Sequence, residues 1–566
     1  MVGKGEVASD FIRWFSESGA QDISLMGSKG AFLSEMYREK YPVPAGFCVT
    51  SKAYNHFLEK SGLSTKIMSL FENTDMNDFK KIEEISGQIK KMILDASIPS
   101  DLADAVSEAY DILDVDKHVF EGKDSSALAI LKRSFEPLFV SVRSSVCSKE
   151  TESFAGQHDS YLHVKGEKDV LRRVKQCFAS LFNACALKYR SLKGMSWNDF
   201  SLGVVIQHMI DSERSGTLFT KDPLTSNRMV VEAVWGLGEG VVSGVITPDH
   251  YELSEKEGEL SIERVNIALK KHAVLRDSSG ESSIVKLSEG KSTYQVLSER
   301  EVKMLARTAL RCEEHFKQPL AIEFAYIGEE LFLLEARPLC FTLNEPSNKN
   351  YTGNEILKGF ANGVPGQGDV KIISDNDFSH VNKNDAVVRS FLYPDALLAL
   401  SSAGLLIAEE GGSTSHAAVL ARELGIACMV GATGAIGRLK EGTTVVLDGS
   451  KIYEDMSERV DAKKEEKEEA IIGKVKVNLQ EREFLKEAPS NVDALGESLS
   501  WENLPVPFEE KDIEEVILEE LSADEKETYE PGSHDSKRDI PPLNDAIVVG
   551  ETLDQSIFSR LEDSLS

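Results

Sequence analysis

The stretch "EEGGSTSHAAVLARELG", residues 409–425, sets a histidine between a glycine and hydroxyl run and a segment rich in helix formers. Ser413, Thr414 and Ser415 are N-cap residue types and Gly425 is a C-cap type, so the spacing predicts a helix with His416 in its first turn. There the helix dipole disfavours imidazolium, and unpaired backbone N–H groups point outward. A neutral imidazole is a nucleophile, and a phosphoryl group landing on it would be a dianion for those same N–H groups and hydroxyls to hold. The bland alternative is a capping or surface histidine. A serine-hydrolase reading of Ser415 and His416 fails, because adjacent residues cannot form a nucleophile-to-base pair and no G-x-S-x-G turn is present.

Outward from this stretch, residues 353–455 carry several short strand signals and the one clear helix after His416. "TTVVLDGSKIY" sets Asp448-Gly449 between apolar runs, as in a two-residue hairpin turn. A compact α/β domain of about 100 residues is expected over 353–455. Residues 1–340 alternate helical patterns with β-rich, glycine-punctuated runs and read as a large α+β domain. The polar segment 341–352 has linker composition. The fold class is therefore α+β, multidomain.

Residues 456–566 contain 13 Lys and Arg against 30 Asp and Glu, more than half of the excess charge in a chain of 566 residues with net charge −30. We read that acidic tail as mainly disordered, with one amphipathic helix in "FEEKDIEEVILEEL". A polyanion is repelled by nucleic acid and by anionic membranes, so neither is an expected partner. No run approaches the roughly 20 apolar residues of a membrane span, and the N-terminus has neither a signal-peptide nor a transit-peptide pattern, so a cytoplasmic protein is expected. The 7 cysteines include no C-x-x-C pair, which argues against a zinc site or a disulfide framework.

"GGSTSHAAVLARELGI" resembles the phosphohistidine motif of the phosphoenolpyruvate synthase and pyruvate phosphate dikinase family, whose swivelling domain carries phosphate between remote sites. Rifampicin phosphotransferase shares the motif, which therefore identifies a carrier and leaves the acceptor open. "GSKGAFLSEM", "VPAGFCVT", "SVRSSV", "SFAGQHDSYL", "VVIQHMI", "SGTLFTKDP", "GLGEGVVSGVITPDHY" and "AIEFAYIGEELFLLEARP" resemble, in order, the nucleotide-binding domain of the same family, an ATP-grasp fold. "GFANGVPGQGDVKII" resembles the entry into its swivelling domain. "GLGEGVVSG" does not fit the dinucleotide fingerprint G-x-G-x-x-G.

Binding ATP needs cations for the phosphates, amides beside them, a polar edge for adenine and carboxylates for magnesium. The resemblance implies phosphate contacts from Lys29, Arg143 and Arg337, a loop over the triphosphate with contacts at Gly156 and Ser160, and an adenine contact at Gln207. It implies magnesium on Glu323 and Glu335, with His416 as the phosphorylated residue and Arg337 beside the transferred group. Glu323 and Glu335 lie on two strands expected to pair, which would bring both carboxylates to one edge. Taken singly, each of these residues also reads as an ordinary surface charge, strand polar residue or turn.

The sequence departs from the family at Glu335, where glutamine is usual, at Val146 and Cys147, where alanine and threonine are usual, and at Ala427, where proline is usual. The family's (β/α)8 acceptor barrel needs about 250 residues, and 456–566 does not have its composition; such a barrel is not expected here. The expected function is an ATP-dependent phosphotransferase that charges His416 and passes the phosphate to a small-molecule acceptor such as pyruvate, held by a partner subunit or by a compact site that the sequence does not reveal. Two alternatives stand beside it: a regulatory or scaffolding protein that uses the acidic tail, and one half of a split phosphoenolpyruvate synthase.

Overall fold

A computed structural model describes residues 10–454 apart from 73, 77, 121–136, 149–155, 196–199, 225–227, 257, 278–279, 340–354, 375–377 and 379. The expected linker 341–352 and the acidic tail lie outside the described residues. All the described residues belong to one compact unit.

Three principal sheets organise it. The first contains β1 (Ile12–Trp14), β2 (Gly46–Val49), β3 (Phe139–Cys147), β4 (Ser160–Lys165) and β5 (Ser201–His208), in the order β1-β2-β5-β3-β4. Helices Ser51–Lys60, Leu63–Glu72, Phe79–Asp95, Ser100–Phe120 and Glu167–Ser180 accompany it, and a core including Phe57, Ile89, Val106, Phe178 and Val204 joins them. The second sheet contains β6 (Arg214–Phe219), β7 (Met229–Trp235), β8 (Asp249–Lys256) and β9 (Glu259–Asn266), and beyond the separate hairpin β10 (His272–Arg276) and β11 (Ser282–Lys286) it adds β12 (Leu320–Ile327) and β13 (Glu330–Pro338). Its order is β13-β12-β6-β7-β8-β9. The helices Ile23–Arg38 and Glu299–Phe316 pack on it through Leu33, Met36, Leu305 and Ala309.

The third sheet contains β14 (Glu355–Lys358), β15 (Phe360–Ala361), β16 (Gly366–Ile372), β17 (Asp385–Arg389), β18 (Leu405–Ala408), β19 (Cys428–Val430), β20 (Thr444–Asp448) and β21 (Lys451–Glu454), in the order β14-β21-β20-β16-β17-β18-β19-β15. β16, β17, β18 and β19 pair in parallel, and the near-continuous apolar sequences of β17, β18 and β19 match burial on both faces, whereas β16, GQGDVKI, is only partly buried. The helix His416–Leu424 lies on one face with Leu397 and Leu400, and that cluster includes Cys185 and Tyr189 from the first 340 residues. An apolar contact thus joins the two regions that the sequence separates.

The last hairpin turns one residue later than the sequence suggests. Asp448 pairs with Lys451, so the two loop residues are Gly449 and Ser450, and Gly449 takes the positive φ of 56° that a side chain would resist. Among the described residues six cysteines stand outside any disulfide, and all are buried. No helix among the described residues is long and apolar enough to cross a membrane.

Candidate active site

Helix His416–Leu424 begins as its sequence demands. Ser415 is the N-cap with φ −61° and ψ 151°, its Oγ accepts the Ala418 N–H at 3.4 Å, and Gly425 ends the helix with φ 66°. Ala417, Ala418, Leu420 and Ala421 are buried in the core of the third sheet, which holds the helix in place, and His416, its first residue, lines a cavity of about 290 Å³. All nine residues expected at the site line this one cavity: Lys29, Arg143, Gly156, Ser160, Gln207, Glu323, Glu335, Arg337 and His416.

The cavity floor is an ion-pair cluster between the first two sheets. β12 and β13 pair with Glu323 opposite Glu335, so both carboxylates leave the same face. Arg143, on β3, donates from Nη2 to Glu323 Oε2 and Glu335 Oε2, each at 2.7 Å, and from Nη1 to the Leu334 carbonyl at 2.9 Å. Lys29 Nζ lies 3.1 Å from Glu335 Oε2. Lys29 is placed by a break in the Ile23–Arg38 helix at Gly27, whose φ of 71° and contact with the Ser145 backbone exclude a side chain. Arg337 follows Glu335 by two residues on β13 and so shares its face.

Burial alone would push the Glu335 carboxyl up. Lys29, Arg143 and Arg337 overcome that and hold it at about 2. Burial and Arg143 pull Lys29 down, while Glu335 and Glu323 restrain the fall. For Arg143 the two carboxylates outweigh burial, and its pKa is raised. Arg143 is thus set between the two carboxylates, and Glu335 between Arg143 and Lys29.

His416 lies beside this cluster and Arg337. Burial, then Arg337, with Lys29 and Arg143 adding and Glu335 opposing, pushes its imidazole down to about 3. The sequence places the neutral ring through the helix dipole; the structure adds burial and the cations of the cavity as further causes. Gly156, with φ 67°, closes over the ring: a Cβ there would stand 2.6 Å from the His416 Cβ and 2.8 Å from its Nδ1. Only glycine admits the histidine at this point.

Ser160 opens β4 directly opposite Arg143 on β3. Gln207 is buried near the end of β5 and donates from Nε2 to the Pro44 carbonyl at 3.3 Å, with His208, Met209 and Ile210 continuing the cavity wall. Among the described residues no cluster of three or more His, Cys, Asp or Glu suits a metal. What the site offers a cation is the pair Glu323 and Glu335, already engaged with Arg143 and Lys29.

One expectation changes. The glycine and hydroxyl run before His416 does not turn its donors to the cavity as a phosphate seat. Glu232, on β7, accepts the Ser413 N–H at 2.8 Å, the Ser413 hydroxyl at 2.9 Å, the Thr414 N–H at 3.0 Å and the Thr414 hydroxyl at 2.6 Å. A carboxylate rather than a phosphate occupies those donors.

Three residues escaped sequence reasoning. His158 lines the cavity with Nδ1 3.0 Å from the Ser180 carbonyl oxygen, and burial, with Arg190 and Lys29, pushes its imidazole down to about 3. Glu239 also lines it, at the start of the short Glu239–Val242 helix, and burial raises its carboxyl against a hydrogen bond from Ser282. The third is Glu232, whose signal is a lone acid inside the apolar strand "MVVEAVW": such a group needs a buried partner.

Comparison with known proteins places this arrangement. Residues 23–355 match the family model described as pyruvate phosphate dikinase, AMP/ATP-binding domain, and residues 381–451 match that of the PEP-utilising enzyme, mobile domain. A probable phosphoenolpyruvate synthase of Archaeoglobus fulgidus is 34% identical over 81% of this chain and 59% of its own length. A probable phosphoenolpyruvate synthase of Methanothermobacter thermautotrophicus is 33% identical over 87% of this chain and 72% of its own. The phosphoenolpyruvate synthase of Pyrococcus furiosus is 32% identical over 91% of this chain and 70% of its own. The chain thus spans between 59% and 72% of the length of these three relatives. With both domain models matched in order, and with histidine and cations at one cavity, the chain belongs to the family of phosphoenolpyruvate synthase and pyruvate phosphate dikinase.

Proposed function

We propose that the chain is an ATP-dependent phosphotransferase of the dikinase type, with residues 1–340 as an ATP-grasp nucleotide domain and 353–455 as a swivelling carrier. The observation that carries this reading is a neutral imidazole, that of His416, on the wall of a cavity that also presents Lys29, Arg143 and Arg337.

In this reading ATP lies in the cavity with adenine toward Gln207 and the triphosphate toward the cations. The lone pair of an imidazole nitrogen forms a bond to the β-phosphorus, the bond from that phosphorus to the bridging oxygen of the α-phosphate breaks, and AMP leaves with the electron pair. Water then takes the γ-phosphoryl group as inorganic phosphate, and His416 keeps the β-phosphate. No base has to deprotonate the ring first, since burial and Arg337 already keep it neutral.

Lys29 and Arg143 exchange the carboxylates for phosphate oxygens, and Arg337, the cation that most depresses His416, neutralises charge at the transferred group. Gly156 and Ser160 close the side of the cavity nearest the triphosphate. Two carboxylates suit magnesium, which binds proteins through one or two such groups and takes its remaining ligands from phosphates and water. Glu323 and Glu335 would hold it, and when bound it supplies positive charge against the triphosphate. The carrier then delivers the phosphate to a small-molecule acceptor such as pyruvate, held by a partner subunit.

The assembly of all nine expected residues around one cavity favours the enzyme over a scaffold. Incubation with ATP and magnesium labelled at the β-phosphate tests it. Label on the protein and AMP in solution, both lost in His416→Ala, are expected; an unlabelled His416 sinks the reading.

A further inference from the structure

Glu232 lies outside the cavity, and the reaction just described makes no use of it. Its carboxylate is wholly buried at the centre of the second sheet, where β7 sets it opposite His250 of β8. His250 Nδ1 is 3.1 Å from Glu232 Oε1, and its ring lies 4.7 Å from that of Phe360 on the third sheet. The other partners of Glu232 are the amide and hydroxyl of Ser413 and the amide and hydroxyl of Thr414, which reach it from 181 and 182 residues away in the chain.

The loop is built to admit this carboxylate. Gly412 stands so close to the Glu232 Oε2 that any side chain there would collide with it. Beside it the Gly411 N–H donates to Thr247 Oγ1 at 3.3 Å, and Thr247 Oγ1 in turn donates to Glu410. Residues 410–414 therefore grip the second sheet through backbone and hydroxyl groups, and His416 follows two residues later on the helix they introduce.

We propose that Glu232 is the anchor that docks the His416 loop on the nucleotide domain, a positioning residue that holds the imidazole at the cavity and lets go when the carrier swings. The proposal rests on the reading of His416 as a phosphate carrier. A carboxylate with two amides and two hydroxyls fixes both the place and the rotation of the loop, because each donor is directional and two belong to the backbone. The single acceptor group also makes release concerted: all four bonds break when one side chain is left behind. Neither Glu232 nor His250 touches the cavity, so docking and nucleotide binding are separable.

Glu232→Ala in the full chain tests this. A fluorescent ATP analogue should bind as in the wild type, which also shows that the variant is folded. Amide hydrogen exchange across 411–424 should lose its protection, and the His416 imidazole should titrate near its ordinary 6.5 instead of well below it. The maximal rate of His416 labelling should fall about tenfold or more, the factor one charge-assisted hydrogen bond supplies, with half-saturating ATP unchanged. Thr414→Val, which deletes one donor at constant shape, should move each readout the same way by a smaller factor, and it decides the matter if Glu232→Ala does not bind nucleotide. Retained protection and a depressed His416 overturn the anchor. If wild-type His416 takes no label while the variant loses protection, the anchor stands and the phosphotransferase reading falls.

Discussion

Glu335 and Glu232 are carboxylates of the same six-stranded sheet, both buried and both held below the ordinary carboxylate range, yet by opposite means. Around Glu335 the counterweight to burial is charge, from Lys29, Arg143 and Arg337. Around Glu232 it is chiefly hydrogen bonding, from His250, whose charge adds to it, and then from the hydroxyl and amide of Thr414. Cations can exchange one anion for another, so the first arrangement suits a place where phosphate comes and goes. Directional neutral donors fix geometry, so the second suits a place where a loop must dock in one pose.

The largest break in the comparison is expected at Arg143. Arg143→Ala removes the shared counterion of Glu323 and Glu335 and leaves two carboxylates facing each other across a strand pair. Breaking a buried pair in this way costs about 3–5 kcal/mol. Denaturant unfolding should show that loss, and labelling of His416 should disappear with it. An Arg143→Ala protein of wild-type stability would mean that the cluster is not the charged, buried unit described above.

Glu335→Gln is a milder perturbation with a pH signature. The folded carboxyl lies at about 2 against an ordinary 4.5, so its contribution is complete above 4.5 and is lost as the pH falls from 4.5 toward 2. The wild type should lose stability more steeply than Glu335→Gln over that window, and the two curves should run parallel above it. Parallel curves throughout would show that Lys29 and Arg143 do not hold the charge.

These two residues also mark what the sequence could and could not tell. Arg143, Glu323 and Glu335 are legible because ATP chemistry demands their types, and the pairing of β12 with β13, which sets Glu323 against Glu335 twelve residues later, follows from two adjacent strand-like runs joined by a short turn. Their mutual pairing is not legible, because nothing local in "SVRSSV" says that Arg143 will meet two acids about 180 and 190 residues away. The His416 helix could be read to its caps, since N-cap hydroxyls and a terminal glycine act within one turn. The use of Ser413 and Thr414 could not: a hydroxyl run suits a phosphate and a carboxylate equally, and only the fold brings Glu232 there. Even the last hairpin illustrates the limit, because Asp448-Gly449 and Gly449-Ser450 are both acceptable turn pairs, and cross-strand register decided between them.

His416 itself offers a test of intermediate size. Docked, its ring is depressed to about 3 by burial and Arg337; undocked, it returns toward 6.5. Docking is then at full strength above 6.5 and weakens as the pH falls below it, because protonation favours the free carrier. The apparent pKa for His416 labelling should fall between 6.5 and about 3, and it should climb toward 6.5 in Glu232→Ala. A wild-type profile that breaks at 6.5 would separate the imidazole from the cavity.

The smallest effects separate conformation from contact at two glycines. Gly425 and Gly156 have nearly the same backbone, φ 66° and φ 67°, so alanine at either meets a similar left-handed penalty of about 1 kcal/mol. Nothing lies near a Cβ at Gly425, whereas at Gly156 it would press on the His416 ring. Gly425→Ala should therefore lower stability by that amount and leave labelling intact. Gly156→Ala should lower stability by at least as much and slow labelling by about tenfold or more, since displacing a reacting group by a fraction of an ångström already costs rate. Equal rates for the two variants would mean that Gly156 does not close on His416 when phosphate moves.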